Sequence, residues 1–325
     1  MKITRRTALG GLMAAAVVRP AFAAPEKVTY LFPAPSFLPA FMPFQIAMKR
    51  GYYEANKLDV TFHVAHGGAD VAKQVGVGNA DIGGGMGETS MIVRPNGLPV
   101  RAVALLGSHP IFTLVTRKDA NIKSLKDLRG KKLGVIGYQD TSYYTLLAVL
   151  AANGLKRSDL QVQAVGPAGI TQLMIAKNLD GVMATPEWSL AIEGAGVALD
   201  HWPVEKYFPA MAQAILTSDG FIKKRPEAVR GVVHAVLRAI RDCMEDPKAA
   251  VRDYVAQVPQ HKGKEAVMER ILQSYVTQVY QTKPASALGK FDPARLKTVE
   301  DFYVKSKIIA SAVPIKDLYT NEFVG

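Results

Sequence analysis

The sequence predicts an α/β protein of two lobes, each built on a mainly parallel sheet with helices on both faces. Three observations carry this. Strand-like and helix-like apolar patterns alternate through the first two thirds of the chain. The 325 residues exceed what one hydrophobic core usually serves. A hydrophobic content of 49% supplies apolar surface for two cores.

Taken in order, Lys27 to Phe32 reads as the opening strand, followed by the turn Pro33-Ala34-Pro35-Ser36 and a helix over residues 40–50 that stops at Gly51. Residues 58–64 alternate apolar and polar side chains, Gly67-Gly68-Ala69-Asp70 starts a helix, and Ala80-Asp81-Ile82-Gly83 begins a short strand and turn. The run Gly83-Gly84-Gly85-Met86-Gly87 lacks the third spaced glycine of a dinucleotide fingerprint and reads as a turn. Residues 100–106 and 111–116 read as adjacent strands, residues 131–136 as the next, and residues 141–152 as its helix with Gly154 as the stop. Further strands are expected near 161–165, 181–184 and 211–217. Pro226 then opens a long amphipathic helix with Val229, Val232, Val233, Val236, Leu237 and Ile240 on one face, and mostly helical segments follow.

At the N-terminus, Lys2, Arg5 and Arg6 precede an apolar run over residues 8–18 and the small-residue pattern Ala21-Phe22-Ala23, the make-up of a secretory signal peptide over residues 1–24. The run is shorter than the roughly 20 apolar residues that a bilayer core demands, and no later stretch is long and charge-free enough to anchor the chain. The Arg5-Arg6 pair after Thr4 points to twin-arginine export, with an ordinary secretory route as the alternative. A periplasmic protein is therefore expected. The formal charge is +12, and residues 1–24 hold four cations and no acid, so the remainder carries +8. That excess is scattered. The basic stretch from Lys123 to Lys132 surrounds Asp127 and has no interleaved aromatics for base stacking, which argues against nucleic acid. Cys243, the single cysteine, leaves no intramolecular disulfide and falls in a helical pattern as a core residue.

The chain resembles a known family on several ordered segments. These are residues 47–51 followed by Tyr52-Tyr53 and Leu58-Asp59-Val60; Gly78-Asn79-Ala80-Asp81-Ile82-Gly83; the run from Ile122 to Val135; and Leu179-Asp180-Gly181-Val182-Met183. On these it is similar to the periplasmic solute-binding proteins of ABC importers in the nitrate, sulfonate, taurine and thiamine-pyrimidine-precursor group. The resemblance implies a type II periplasmic binding protein fold whose lobes close on a ligand by a hinge. The chain would cross between lobes twice, giving lobe 1 as residues 25–116 plus 218–325 and lobe 2 as residues 117–217. It implies capture of a small-molecule solute for ABC permease and ATPase subunits, by a monomer without cofactor or metal. Two alternatives share the fold: a sensory domain for a membrane receptor, and a thiamine-pyrimidine synthase that uses a histidine and a cysteine-rich iron-linked segment. One cysteine, far along the chain from His66, disfavours the synthase.

In open α/β sheets ligands sit outside the carboxyl ends of strands, where helix N-termini present free backbone N–H groups. Four loops qualify: Pro35-Ser36-Phe37, Gly67-Gly68-Ala69, Gly87-Glu88-Thr89 and Gln139-Asp140-Thr141-Ser142. Gly67 and Gly68 allow close backbone approach or simply make a turn. Thr141 and Ser142 offer hydroxyls that by default cap their own helix, but in relatives this loop touches ligand. The resemblance adds the loops that end at Gly169 and that contain Glu187 and Trp188, an indole able to stack on a planar ligand. Glu88 and Glu187 would repel a small anion, and no Arg stands in these loops to clamp one, which favours a heterocycle or amine-bearing solute. His66 and His109 are further candidate contacts. His63 and His66 are spaced to opposite faces of an extended segment, so no shared metal is expected. No nucleophile elbow, metalloprotease helix or phosphate-binding loop occurs, so no catalytic residue is assigned.

Overall fold

The structure is a computed structural model that describes residues 24–325; the expected signal segment and its Arg5-Arg6 pair lie outside the described residues. Ten strands are formed: β1 (Glu26–Phe32), β2 (Leu58–Val64), β3 (Ile82–Met86), β4 (Val100–Leu105), β5 (Thr113–Arg117), β6 (Lys132–Val135), β7 (Gln161–Ala164), β8 (Gly181–Ala184), β9 (Leu199–Pro203) and β10 (Gln213–Ser218). They make two five-stranded sheets, β2-β1-β3-β10-β4 and β7-β6-β8-β5-β9, each the base of one lobe.

Each sheet is mixed. β1 runs parallel to β2 and β3, and β6 parallel to β7 and β8, as strand–helix–strand crossovers require. β10 and β5 run antiparallel to both of their neighbours. The exchange is reciprocal: β5 leaves the first sheet's run of strands to lie between β8 and β9, and β10 returns to lie between β3 and β4. Residues 100–106 and 111–116 were expected as neighbours, but β4 and β5 belong to different sheets, because the chain between them crosses the molecule. The two sheet-to-sheet connections run over residues 106–112 and 204–212. The expected boundaries at 116/117 and 217/218 fall inside β5 and β10, whose strands run on across them as Thr116-Arg117 and Thr217-Ser218.

The glycine run from Gly83 to Gly87 departs from its expected turn. Its first four residues belong to β3, in the middle of the first sheet. The Gly68–Gly76 helix lies so close that a Cβ on Gly83 would overlap Val71 Cγ1 and stand 3.0 Å from Leu31 O; one on Gly85 would stand 2.7 Å from Leu216 Cδ1. Glycine here answers to close packing on a central strand.

Helices otherwise follow local sequence. The Met42–Lys49 helix ends before Gly51, which takes φ +67°, and the Thr141–Ala152 helix before Gly154 at φ +70°. The Pro226–Glu245 helix buries Val229, Val232, Val233, Val236, Leu237, Ile240 and Cys243 and packs against the Met42–Lys49 helix. An aromatic cluster of Tyr30, Phe32, Phe41, Phe44 and Phe62 fills the first lobe, with the Phe32 and Phe41 ring centroids 4.7 Å apart. Among the described residues no helix is long and apolar enough to cross a membrane.

Gly83→Ala is expected to cost roughly 1–3 kcal/mol of unfolding free energy through overpacking. Urea unfolding followed by circular dichroism measures it; an unchanged midpoint would mean that Val71 yields freely.

Candidate functional site

Between the sheets lies a cleft lined by side chains from both lobes. Leu38, Phe41 and Met86 come from the first, Ile136, Asp140, Thr141, Thr185, Glu187 and Trp188 from the second, and Ile111 and Phe112 from the first connection. Gln213 closes one side from the start of β10. About 40 Å³ is open to the centre of a water molecule, far below the several hundred Å³ of a site for a small organic ligand, so admission of such a ligand requires the lobes to part.

The lobes meet at the cleft's edge through Asp140. As N-cap of the Thr141–Ala152 helix its Oδ1 accepts from the Ser142 amide at 2.8 Å, while Oδ2 accepts from the Gly68 amide of the opposite lobe at 3.2 Å. The Ala69 amide donates to the Gln139 carbonyl at 3.0 Å, and Lys73 Nζ to Gln139 Oε1 at 3.3 Å. Gly67 has φ +109°, and a Cβ there would stand 2.6 Å from the Asp140 Cα, so only glycine fits the closed contact. Burial pushes the Asp140 carboxyl up, and the Ser142 and Gly68 donors pull it partly back.

Glu187 stands in the first turn of the Pro186–Gly194 helix, 6% exposed, and its Oε2 accepts from the buried Tyr275 hydroxyl at 2.6 Å. Its Oε1 is buried without a partner, as is the Thr185 hydroxyl. Burial raises the Glu187 carboxyl, opposed by the Tyr275 hydroxyl. Trp188, 7% exposed, adds its ring to the wall. The lining thus combines apolar surface with two carboxylates and contains no Arg, Lys or His.

Of the residues singled out from sequence, Thr141, Glu187 and Trp188 line this cleft, and Gly67, Gly68, Gln139 and Ser142 form or flank the Asp140 contact. The others lie elsewhere. Ser36 is half-buried and offers its carbonyl to Gln45 Nε2 at 2.9 Å. His66 is exposed and lines, with His63, a separate open depression on the first lobe. Thr89 accepts from the Met86 amide at 2.8 Å. Gly169 sits within the Gly166–Ile175 helix. His109 is exposed on the first connection, its Nδ1 2.8 Å from Glu205 Oε2 on the second. Glu88 is buried behind β3 with both carboxylate oxygens unpartnered and does not line the cleft. Burial pushes its carboxyl up to about 7, against its own backbone amide and the Arg295 guanidinium.

Sequence reasoning placed Asp140 and Thr185 in candidate loops without singling them out, and missed Gln213 and the apolar walls Phe41, Ile111 and Phe112. Asp140 carried a signal as the acid before a helix start. Gln213 carried none, since its role depends on β10 joining the far sheet.

The sequence profile of the family described as NMT1/THI5 like matches residues 38–250. The chain is 27% identical to the riboflavin-binding protein RibY of Chloroflexus aurantiacus over 301 residues, 90% of this chain and 85% of that one. It is 25% identical to the 4-amino-5-hydroxymethyl-2-methylpyrimidine phosphate synthase of Schizosaccharomyces pombe over 237 residues, 67% of this chain and 66% of that one. In fold it is similar to the alkanesulfonate-binding protein SsuA from Xanthomonas axonopodis pv. citri, with a TM-score of 0.71 at 16% identity over 92% of this chain and 99% of that one. The two lobes therefore have the periplasmic binding protein fold.

Because Glu88 is raised in the folded state, its protonated form favours folding: that stability is present below its ordinary value near 4.5 and is lost as pH rises through about 7. Glu88→Gln is expected to flatten the fall in melting temperature between pH 5 and 8 (roughly the carboxyl's range of change). Parallel melting curves of the two proteins across that range check it.

Proposed function

We propose that this chain, which belongs to the NMT1/THI5-like family, is the extracytoplasmic solute-binding component of an ABC importer and captures a planar nitrogen-bearing heterocycle, flavin-like or pyrimidine-like, between its lobes. The observation that carries the reading is the cleft lining: flat apolar surface from Trp188, Phe41 and Phe112 beside the unpartnered acceptor Glu187 Oε1, with no cationic side chain. Stacking surface suits a ring, and a lone buried acceptor suits a ring N–H or amine.

The same lining disfavours small anions. A sulfonate or nitrate needs charge-assisted donors, and the helix N-terminus that would serve as one, at Gly68, is already occupied by the Asp140 carboxylate. Ligand bound between the lobes would favour the closed arrangement, and a permease would read that shape. The names of several relatives support a pyrimidine synthase as the second reading. Against it, the cleft lining holds no His or Cys, and Cys243 is buried on the Pro226–Glu245 helix.

Residues 24–325 should be titrated calorimetrically with riboflavin, 4-amino-2-methylpyrimidines, an alkanesulfonate and nitrate. A ring compound is expected to bind and the anions are not. Trp188→Ala and Glu187→Gln should each weaken that binding by roughly tenfold or more, the worth of one aromatic contact or one charged hydrogen bond. Binding of the sulfonate or nitrate alone would overturn the reading.

A further inference from the structure

A second cavity adjoins the cleft at Thr185, which lines both. The contrast in lining is sharp across one peptide bond, since Phe112 faces the cleft and Thr113 faces the second cavity. The second cavity offers about 100 Å³ to the centre of a water molecule, room for several waters. Hydrogen-bonding side chains surround it: Thr113 at the start of β5, Thr185 and Ser189 on the second lobe, and Ser274 and Gln278 from the C-terminal helical segment. Its open side is marked by the exposed His201–Glu193 pair, 2.9 Å apart.

Ser274 donates to the Arg270 carbonyl at 3.2 Å and the Gln278 side chain is exposed, while the others keep hydrogen-bonding capacity to spare. The Thr185 hydroxyl is buried with no partner, and among the described residues the Thr113, Ser189 and Gln278 side chains form no intramolecular hydrogen bond. A buried hydroxyl without a partner costs on the order of 1–3 kcal/mol, so a ligand group that fills this demand gains affinity. Hydroxyls and a carboxamide, each both donor and acceptor, match a chain of hydroxyl groups better than a charged group.

From this arrangement we infer that the cavity is a subsite for a hydroxylated tail, so that the solute has two ends: a planar ring in the apolar cleft and a polyhydroxylated chain that passes Thr185 into the Thr113–Ser189–Gln278 cavity. The inference rests on the heterocycle reading above and narrows its substrate class. Wall residues come from both lobes, so the tail would also be gripped by closure, like the ring.

The test compares riboflavin with lumiflavin, which has the same ring system with a methyl group in place of the hydroxylated tail, on residues 24–325. Riboflavin is expected to bind roughly tenfold tighter or more, the scale of one or two net hydrogen bonds. The double variant Ser189→Val/Gln278→Leu should abolish that advantage while leaving lumiflavin affinity unchanged, which also certifies that the variant is folded. Equal binding of the two flavins, or loss of both by the variant, would overturn the tail subsite and leave the ring cleft standing. Failure of either flavin to bind, with a pyrimidine or an anion binding instead, would remove the flavin-like ring and with it this subsite.

Discussion

One carboxylate caps two helices from opposite lobes, and the closed arrangement of the molecule hangs on it. Asp140 serves the N-terminus of its own Thr141–Ala152 helix and accepts the Gly68 amide at the start of the Gly68–Gly76 helix across the cleft. Both helix dipoles point their positive ends at it, which offsets part of the penalty of burying the charge. The contact is possible only because Gly67 has no side chain to hold the lobes apart. The same contact sets the chemistry of the cleft, because an anion site at that helix terminus is filled by the protein itself.

The connections between the lobes are held from a third direction. Arg295, on the Pro293–Lys305 helix, donates to the Ser108 carbonyl at 2.7 Å on one connection and to the Pro209 and Ala210 carbonyls on the other, and pairs with Glu205 at 3.2 Å. Glu205 in turn meets His109. One guanidinium with its fixed fork of donors thus ties together the two connections between the lobes, an arrangement that Lys could not reproduce. Glu88 lies near enough to feel that guanidinium.

The cleft lining holds no cationic side chain. Fold similarity at 16% identity fixes the scaffold and leaves the site free to differ. Here the walls are aromatic and aliphatic, and the polar groups are two carboxylates raised by burial, hydroxyls and the Gln213 carboxamide, with no Arg, Lys or His among them. Tyr275 couples this region to the C-terminal helices: its hydroxyl holds Glu187 in place from the other lobe, so closure and the position of the acceptor are linked.

Sequence by itself determined the alternation of strands and helices, most helix stops, the core face of the Pro226–Glu245 helix and the burial of Cys243, because each of these depends on residues within a few turns of one another. Position at a helix start after a strand also marked Thr141 as a candidate, whereas Glu187 and Trp188 entered through the resemblance to a known family. Tertiary structure alone decided that β5 and β10 change sheets, that the Gly83–Gly87 run begins in a central strand, that Glu88 turns away from the cleft, and that Gln213 and Phe112 turn toward it. The physical reason is range. Gly68 meets Asp140 across 72 residues and Glu187 meets Tyr275 across 88, and no local pattern of propensity or periodicity encodes a partner that distant.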